Sequence, residues 1–198
     1  DRIFSNLQQF IKSYGDDGSN TEGISYWQYG FWCYLNFADL LYRHSEHKAD
    51  LLHGGKIQKM AEFLPKISLR KNITVSFSDG GREYGFNHIG LYNYLIRSYE
   101  NIQIPAEKPS ELLIAKNEKL PWLLRDFFWS DPHQYDTIGK FKESTEYLPD
   151  AQWFIVKRKT YSFAAKAGHN NEGHNHNDVG SFIFADDNGQ MLTDLGAM

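Results

Sequence analysis

At 198 residues the chain has room for one generous domain or two small ones, and a net charge of −4 lacks the basic field that nucleic-acid binding requires. A single cysteine, Cys33, excludes an intrachain disulfide and Cys-type zinc sites, and no apolar run reaches the length of a membrane span. An aromatic share of 16% suits a carbohydrate binder, because sugar faces stack on rings, and equally suits an ordinary core.

Residues 1–14 set Ile3, Phe4, Leu7, Phe10, Ile11 and Tyr14 at helical spacing, which predicts a first helix with one apolar stripe. The run Gly15–Asn20 breaks it with turn chemistry. Asn20 or Thr21 can cap a second helix running to about Arg43, with Glu22 in its first turn near the positive dipole end. That segment is apolar almost all round, so burial among other helices is expected. Asp50–Phe63 reads as a third helix ended by Pro65, and Ile73–Phe77 as a short strand before the turn Asp79-Gly80-Gly81. Helical patterns resume at Ile89–Tyr99, Ser110–Asn117 and, more weakly, Leu120–Trp129.

From about Tyr135 the pattern changes. Ala151–Lys159 and Thr160–Lys166 cluster β-formers at strand length. Val179–Ala185, a turn through Asn188-Gly189, and Gln190–Asp194 predict a hairpin. Helices therefore dominate the first two-thirds and antiparallel strands the last third, an α+β organisation. The chain opens on Asp1 and stops just after a strand-like run, so we expect a piece of a longer protein.

The most informative segment is His174-Asn175-His176-Asn177-Asp178. If it is extended, His174, His176 and Asp178 share one face. Such a face can coordinate a metal or grip a polyhydroxylated acid. A capped turn that binds no metal is the simpler alternative.

Three passages resemble the heparinase II/III-like polysaccharide lyases. Asp17-Gly18, Glu22-Gly23, Tyr26-Trp27 and Tyr29-Gly30 fit D-G-x-x-x-E-G-x-x-Y-W-x-Y-G of the helical toroid. Residues 174–182 fit the H-N-H-N-D-x-G-S-F entry into the β-sandwich, and Leu192-Thr193-Asp194-Leu195-Gly196 fits the L-x-D-x-G strand after it. The first motif alone is weak. The three in order, spanning most of the chain, are far more specific.

The resemblance implies an incomplete (α/α) toroid, here residues 1–130, followed by the start of an antiparallel β-sandwich, residues 131–198. It implies β-elimination on an acidic, uronate-containing polysaccharide or oligosaccharide, and a periplasmic or secreted bacterial protein; homo-oligomerisation is left open. By motif position Tyr26 matches the catalytic tyrosine and His174 the substrate-facing histidine. His176 and Asp194 match two ligands of a structural zinc, the third being a histidine beyond Met198. The residue that neutralises the substrate carboxylate would precede Asp1, so activity is expected of the full-length protein and not of residues 1–198 alone. Substrate contacts are expected from Glu22, Tyr29, Arg82 and Asn175.

Elimination across C4–C5 of a uronate needs a neutralised carboxylate, a base for the C5 proton and an acid for the departing O4. One tyrosine can do the last two when both atoms lie on the same sugar face, provided nearby positive charge or donors lower its phenol pKa from about 10. His174 can assist, as N–H donor or as proton acceptor. Tyr29 lies one turn from Tyr26 and is the alternative tyrosine. Without the resemblance, core packing is the simpler reading of Tyr26, a dipole-complementing role that of Glu22, and a plain turn that of residues 79–82. Trp27, Trp32 and Trp153 are expected to pack. A glycan-binding protein without catalysis is the runner-up function; a zinc hydrolase ranks lower, since no H-E-x-x-H helix occurs.

Overall fold

The structure is a computed structural model that describes residues 2–70, 72–80, 88–100, 102, 120–131, 141–174 and 176–194. The helix expected at Ser110–Asn117 lies outside the described residues, as do Arg82 and Asn175. The helices are α1 (Arg2–Lys12), α2 (Ile24–His44), α3 (Gly55–Ile67), α4 (Ile89–Ser98) and α5 (Leu120–Trp129). After α3 come two short strands, β1 (Ser68–Arg70) and β2 (Ile73–Thr74). The C-terminal third holds β3 (Ser144–Leu148), β4 (Trp153–Lys157), β5 (Ser162–Lys166), β6 (Phe182–Asp186) and β7 (Gly189–Leu192), paired in that order as an antiparallel meander.

The start of α2 differs from expectation. Neither Asn20 nor Thr21 caps it; Asn20 Oδ1 instead accepts the Glu22 N–H at 2.9 Å, and the N-cap is Gly23 with φ 98°. A Cβ at Gly23 would stand 2.9 Å from the Gly80 nitrogen, so the backbone of residues 77–80 presses on the helix entrance. Only glycine allows both that approach and that dihedral. Gly18 is constrained the same way, at φ 85° and against the Lys59 carbonyl. Asp17 and Asp150 then exchange backbone-to-carboxylate hydrogen bonds at 3.0 Å each, clamping this loop to the β3–β4 turn.

Helix α2 is buried on one face, not all round. Ile24, Trp27, Phe31, Trp32, Leu35 and Ala38 form the buried stripe, whereas Tyr26, Tyr29, Cys33 and Leu40 are exposed. Its inward face is closed by α3, to which it is tied by the Trp27 Nε1–H donating to the Met60 carbonyl at 2.8 Å. Helix α3 starts later than expected and runs two residues past Pro65, since a proline near a helix end forfeits only one internal bond.

Strand alternation sorts the sheet into two faces. Leu148, Trp153, Ile155, Ala164, Ile183 and Ala185 are buried on one face, and most of them join the helical side chains in a single hydrophobic core. Trp153 is fully buried between Phe63 and Phe77, with ring centroids 5.9 and 5.3 Å away. The opposite face carries Tyr147, Phe154, Phe182 and Leu192, all exposed. Phe163 stacks with Phe182 and Phe184 with Tyr161 on that side.

Lys157 points inward from β4 and donates to the Pro65 carbonyl at 2.7 Å. Burial pulls its ammonium down to about 8, against a partly compensating pull from Glu146. The unfolded chain keeps the ordinary 10.5. Between those values it binds more protons than the folded protein, so this lysine makes stability rise with pH. The stability advantage of Lys157→Met is therefore expected to shrink between about pH 8 and 10.5, by up to roughly 3 kcal/mol, in urea titrations at several pH values. An advantage that stays constant or grows over that window would contradict the assignment.

Candidate functional site

Three segments far apart in sequence meet at the entrance to α2. The first is Glu22–Tyr26. The second is the stretch Ser76–Gly80 after β2. The third is the loop 172–181 between β5 and β6, which carries the paired histidines.

That loop is not extended. His174 and Asn177 both lie in the left-handed region, at φ 53° and 54°, so the expected alternation of side chains is lost. His174 and His176 nevertheless converge, on one carboxylate. His174 Nδ1 lies 2.7 Å from Asp79 Oδ2, and His176 Nε2 lies 2.7 Å from Asp79 Oδ1. Asp178 turns away from both. It faces inward, accepting from Lys166 Nζ at 2.7 Å and from the Ser78 backbone N–H at 3.1 Å.

The divergence has an electrostatic cause. Lys166 ends β5 at an inward-facing position and its side chain is completely buried. Its ammonium donates to Asp178 at 2.7 Å and to the Ser78 hydroxyl at 3.2 Å, and pairs electrostatically with the Glu172 carboxylate at 3.1 Å. An unpaired ammonium there would be prohibitively costly, so carboxylates from the histidine loop are drawn in to it. Burial pushes the Asp178 carboxyl up, but the Lys166 and Ser78 hydrogen bonds together with the Lys166 charge overcome this and hold it below its ordinary value. The network fastens both ends of the histidine loop to the Ser76–Gly80 stretch.

Tyr26 lies outside the core. It is 38% exposed, and its ring sits 4.2 Å from that of His174, centroid to centroid, at a 33° tilt. Tyr29 is 50% exposed and meets Trp122 edge-on at 5.4 Å, so the two tyrosines face different neighbours. Glu22 precedes the helix instead of occupying its first turn. Its carboxylate lies against Gly173, where an added Cβ would come within 3.0 Å of Oε1. Tyr26, Glu22, His174 and Asp79 are thus brought together, and Tyr29 is set apart from them.

No protein-family model matches the chain, and no curated protein matches it in sequence.

His176 and Asp194 line one open depression of about 670 Å³, together with Asp178, Phe182 and Leu192. Asp194 lies two residues beyond the end of β7, not within the strand, and its carbonyl accepts from the Ser76 hydroxyl at 3.3 Å. Among the described residues no group of three or more His, Cys, Asp or Glu side chains is arranged to hold a metal ion.

Asp79 and Lys166 were missed by sequence reasoning. Residues 79–82 read as a turn first and a substrate-binding loop second, and nothing local connects Asp79 to histidines 95 and 97 positions later. For Lys166 a signal existed: with Ser162 and Ala164 inward on β5, period two puts Lys166 inward as well. Trp27, Trp32 and Trp153 pack in the core, as read from the sequence.

Proposed function

We propose that the full-length protein is a polysaccharide lyase of the heparinase II/III-like type, acting on a uronate-containing polysaccharide by β-elimination. The observation that carries this reading is the contact of Tyr26 with His174, which joins the helical and strand motifs at one exposed place.

In this mechanism the Tyr26 phenolate takes the C5 proton, and the same oxygen returns it to O4. The C4–O4 bond breaks, a C4–C5 double bond forms, and no water is consumed. His174 beside the ring assists by accepting or sharing the phenol proton. Glu22 lies on the wall of the same site, positioned to accept hydrogen bonds from sugar hydroxyls. Arg82 and Asn175 are further candidate substrate contacts.

The uncovered aromatic face of the β3–β7 sheet supports a sandwich reading, since an apolar sheet face is stable when a second layer covers it. The five helices support placing the helical part in an (α/α) toroid. Periplasmic or secreted residence follows from the same proposal.

His176 and Asp194 offer one nitrogen and one oxygen on a common depression, a donor pair suited to zinc at about 2.0–2.2 Å. Bound there with a further histidine, zinc would cross-link the loop to the strand end. Elemental analysis of the full-length protein is expected to give about one zinc per chain, with a lower melting temperature after chelation. A protein free of zinc and indifferent to chelator would leave the histidines as a polar structural cluster.

Incubation of the full-length protein with a panel of uronate polymers, followed by the ultraviolet absorbance of the unsaturated product, tests the activity. Rising absorbance with one polymer is expected. Saturable binding without any absorbance change would favour the glycan-binding alternative.

A further inference from the structure

Among the described residues Asp79 is the one side chain that touches both His174 and His176, and the proposed mechanism gives it no task. Its carboxylate is about one-fifth exposed, against 41% for His174 and 29% for His176. Its backbone is held on both sides. Ser78 stands at φ 56° with its N–H on Asp178, and the Gly80 N–H donates to the Phe77 carbonyl at 3.1 Å. The carboxylate is thus presented by a fixed turn.

An ionised carboxylate only accepts hydrogen bonds, so each imidazole nitrogen facing it must carry a hydrogen. For His174 the facing atom is Nδ1 and for His176 it is Nε2. A single carboxylate thereby selects opposite neutral tautomers in two rings two residues apart. On His174 the free acceptor becomes Nε2; on His176 it becomes Nδ1.

We infer that Asp79 is a positioning residue that holds His174 as the Nδ1–H tautomer and so makes Nε2 the nitrogen that receives a proton beside Tyr26. The physical logic is that of a carboxylate orienting a general-base imidazole: the wrong tautomer places a hydrogen where a lone pair is needed. The same contact reserves Nδ1 of His176 for any ligand in the depression it shares with Asp194. The effect on turnover rests on the lyase reading, whereas the tautomer assignment stands on the geometry alone.

The test is nitrogen-15 NMR of histidine-labelled full-length protein, in buffer above the ordinary imidazole range of about 6.5. The expected spectrum shows His174 as Nδ1–H and His176 as Nε2–H. In Asp79→Ala, His174 is expected to move to the Nε2–H form that an unconstrained side chain prefers. Should that variant fail to fold, Asp79→Asn keeps the shape. Its amide has one accepting and one donating end, so at least one of the two rings must change tautomer. In parallel, kcat of either folded variant is expected to fall by at least about tenfold with KM nearly unchanged, because orientation and not substrate affinity is lost. His174 found as Nε2–H in the unmodified protein, or unchanged tautomers in both rings of Asp79→Asn, would overturn the inference. Absence of turnover on every polymer would count against the lyase reading and leave the spectrum to decide the role of Asp79.

Discussion

Lys166→Ala is expected to lower the unfolding free energy by about 3–5 kcal/mol, the largest stability loss foreseen for any single polar substitution here. The change removes the cation that, among the described residues, faces both Asp178 and Glu172 inside the protein, where Lys166 is fully enclosed. Two buried carboxylates would then lack their principal partner, and each must be protonated or drag water inward. A companion variant, Lys166→Met with Asp178→Asn and Glu172→Gln, should recover much of the loss, because breaking a buried ionic network costs more than replacing all of its members. Urea unfolding of the three proteins measures the effect. A single variant within about 0.5 kcal/mol of the unmodified protein would mean that the network is not what fastens the histidine loop.

Tyr26→Phe in the full-length protein is expected to reduce kcat by at least about 10³-fold while KM stays nearly constant. The substitution deletes one oxygen and keeps the ring that lies 4.2 Å from that of His174, so the site should stay assembled. His174→Ala should also slow turnover, less severely, since it assists the proton transfer and does not perform it. Tyr29→Phe is the internal control. Its ring meets Trp122 and not His174, so activity should change little. A dead Tyr29→Phe beside a fully active Tyr26→Phe would shift the chemistry by one helical turn.

What the sequence made legible was whatever depends on local period. Clusters of β-formers over Ala151–Lys159 and Thr160–Lys166 announced two strands, and Asn188-Gly189 announced the hairpin. Helix α1 and the body of α2 followed from apolar spacing in the same way. The errors arose where contacts distant in sequence decide. Helix α2 begins at Ile24 because the backbone near Gly80 presses on Gly23, a neighbour that no window around residue 20 contains. If extended, the histidine run would put His174, His176 and Asp178 on one face. Left-handed turns at His174 and Asn177 instead send two imidazoles to Asp79 and one carboxylate to Lys166. The convergence of His174 with Tyr26 was suggested by motif resemblance. Neither composition nor periodicity pointed to it.

The mass of the product separates elimination by a tyrosine from hydrolysis. When the full-length protein cleaves a uronate polymer in ¹⁸O-labelled water, elimination predicts a new non-reducing end lacking the elements of one water and carrying no label from the cleavage step. Cleavage that adds water and incorporates ¹⁸O would be hydrolysis, and the roles given to Tyr26 and His174 would have to be abandoned.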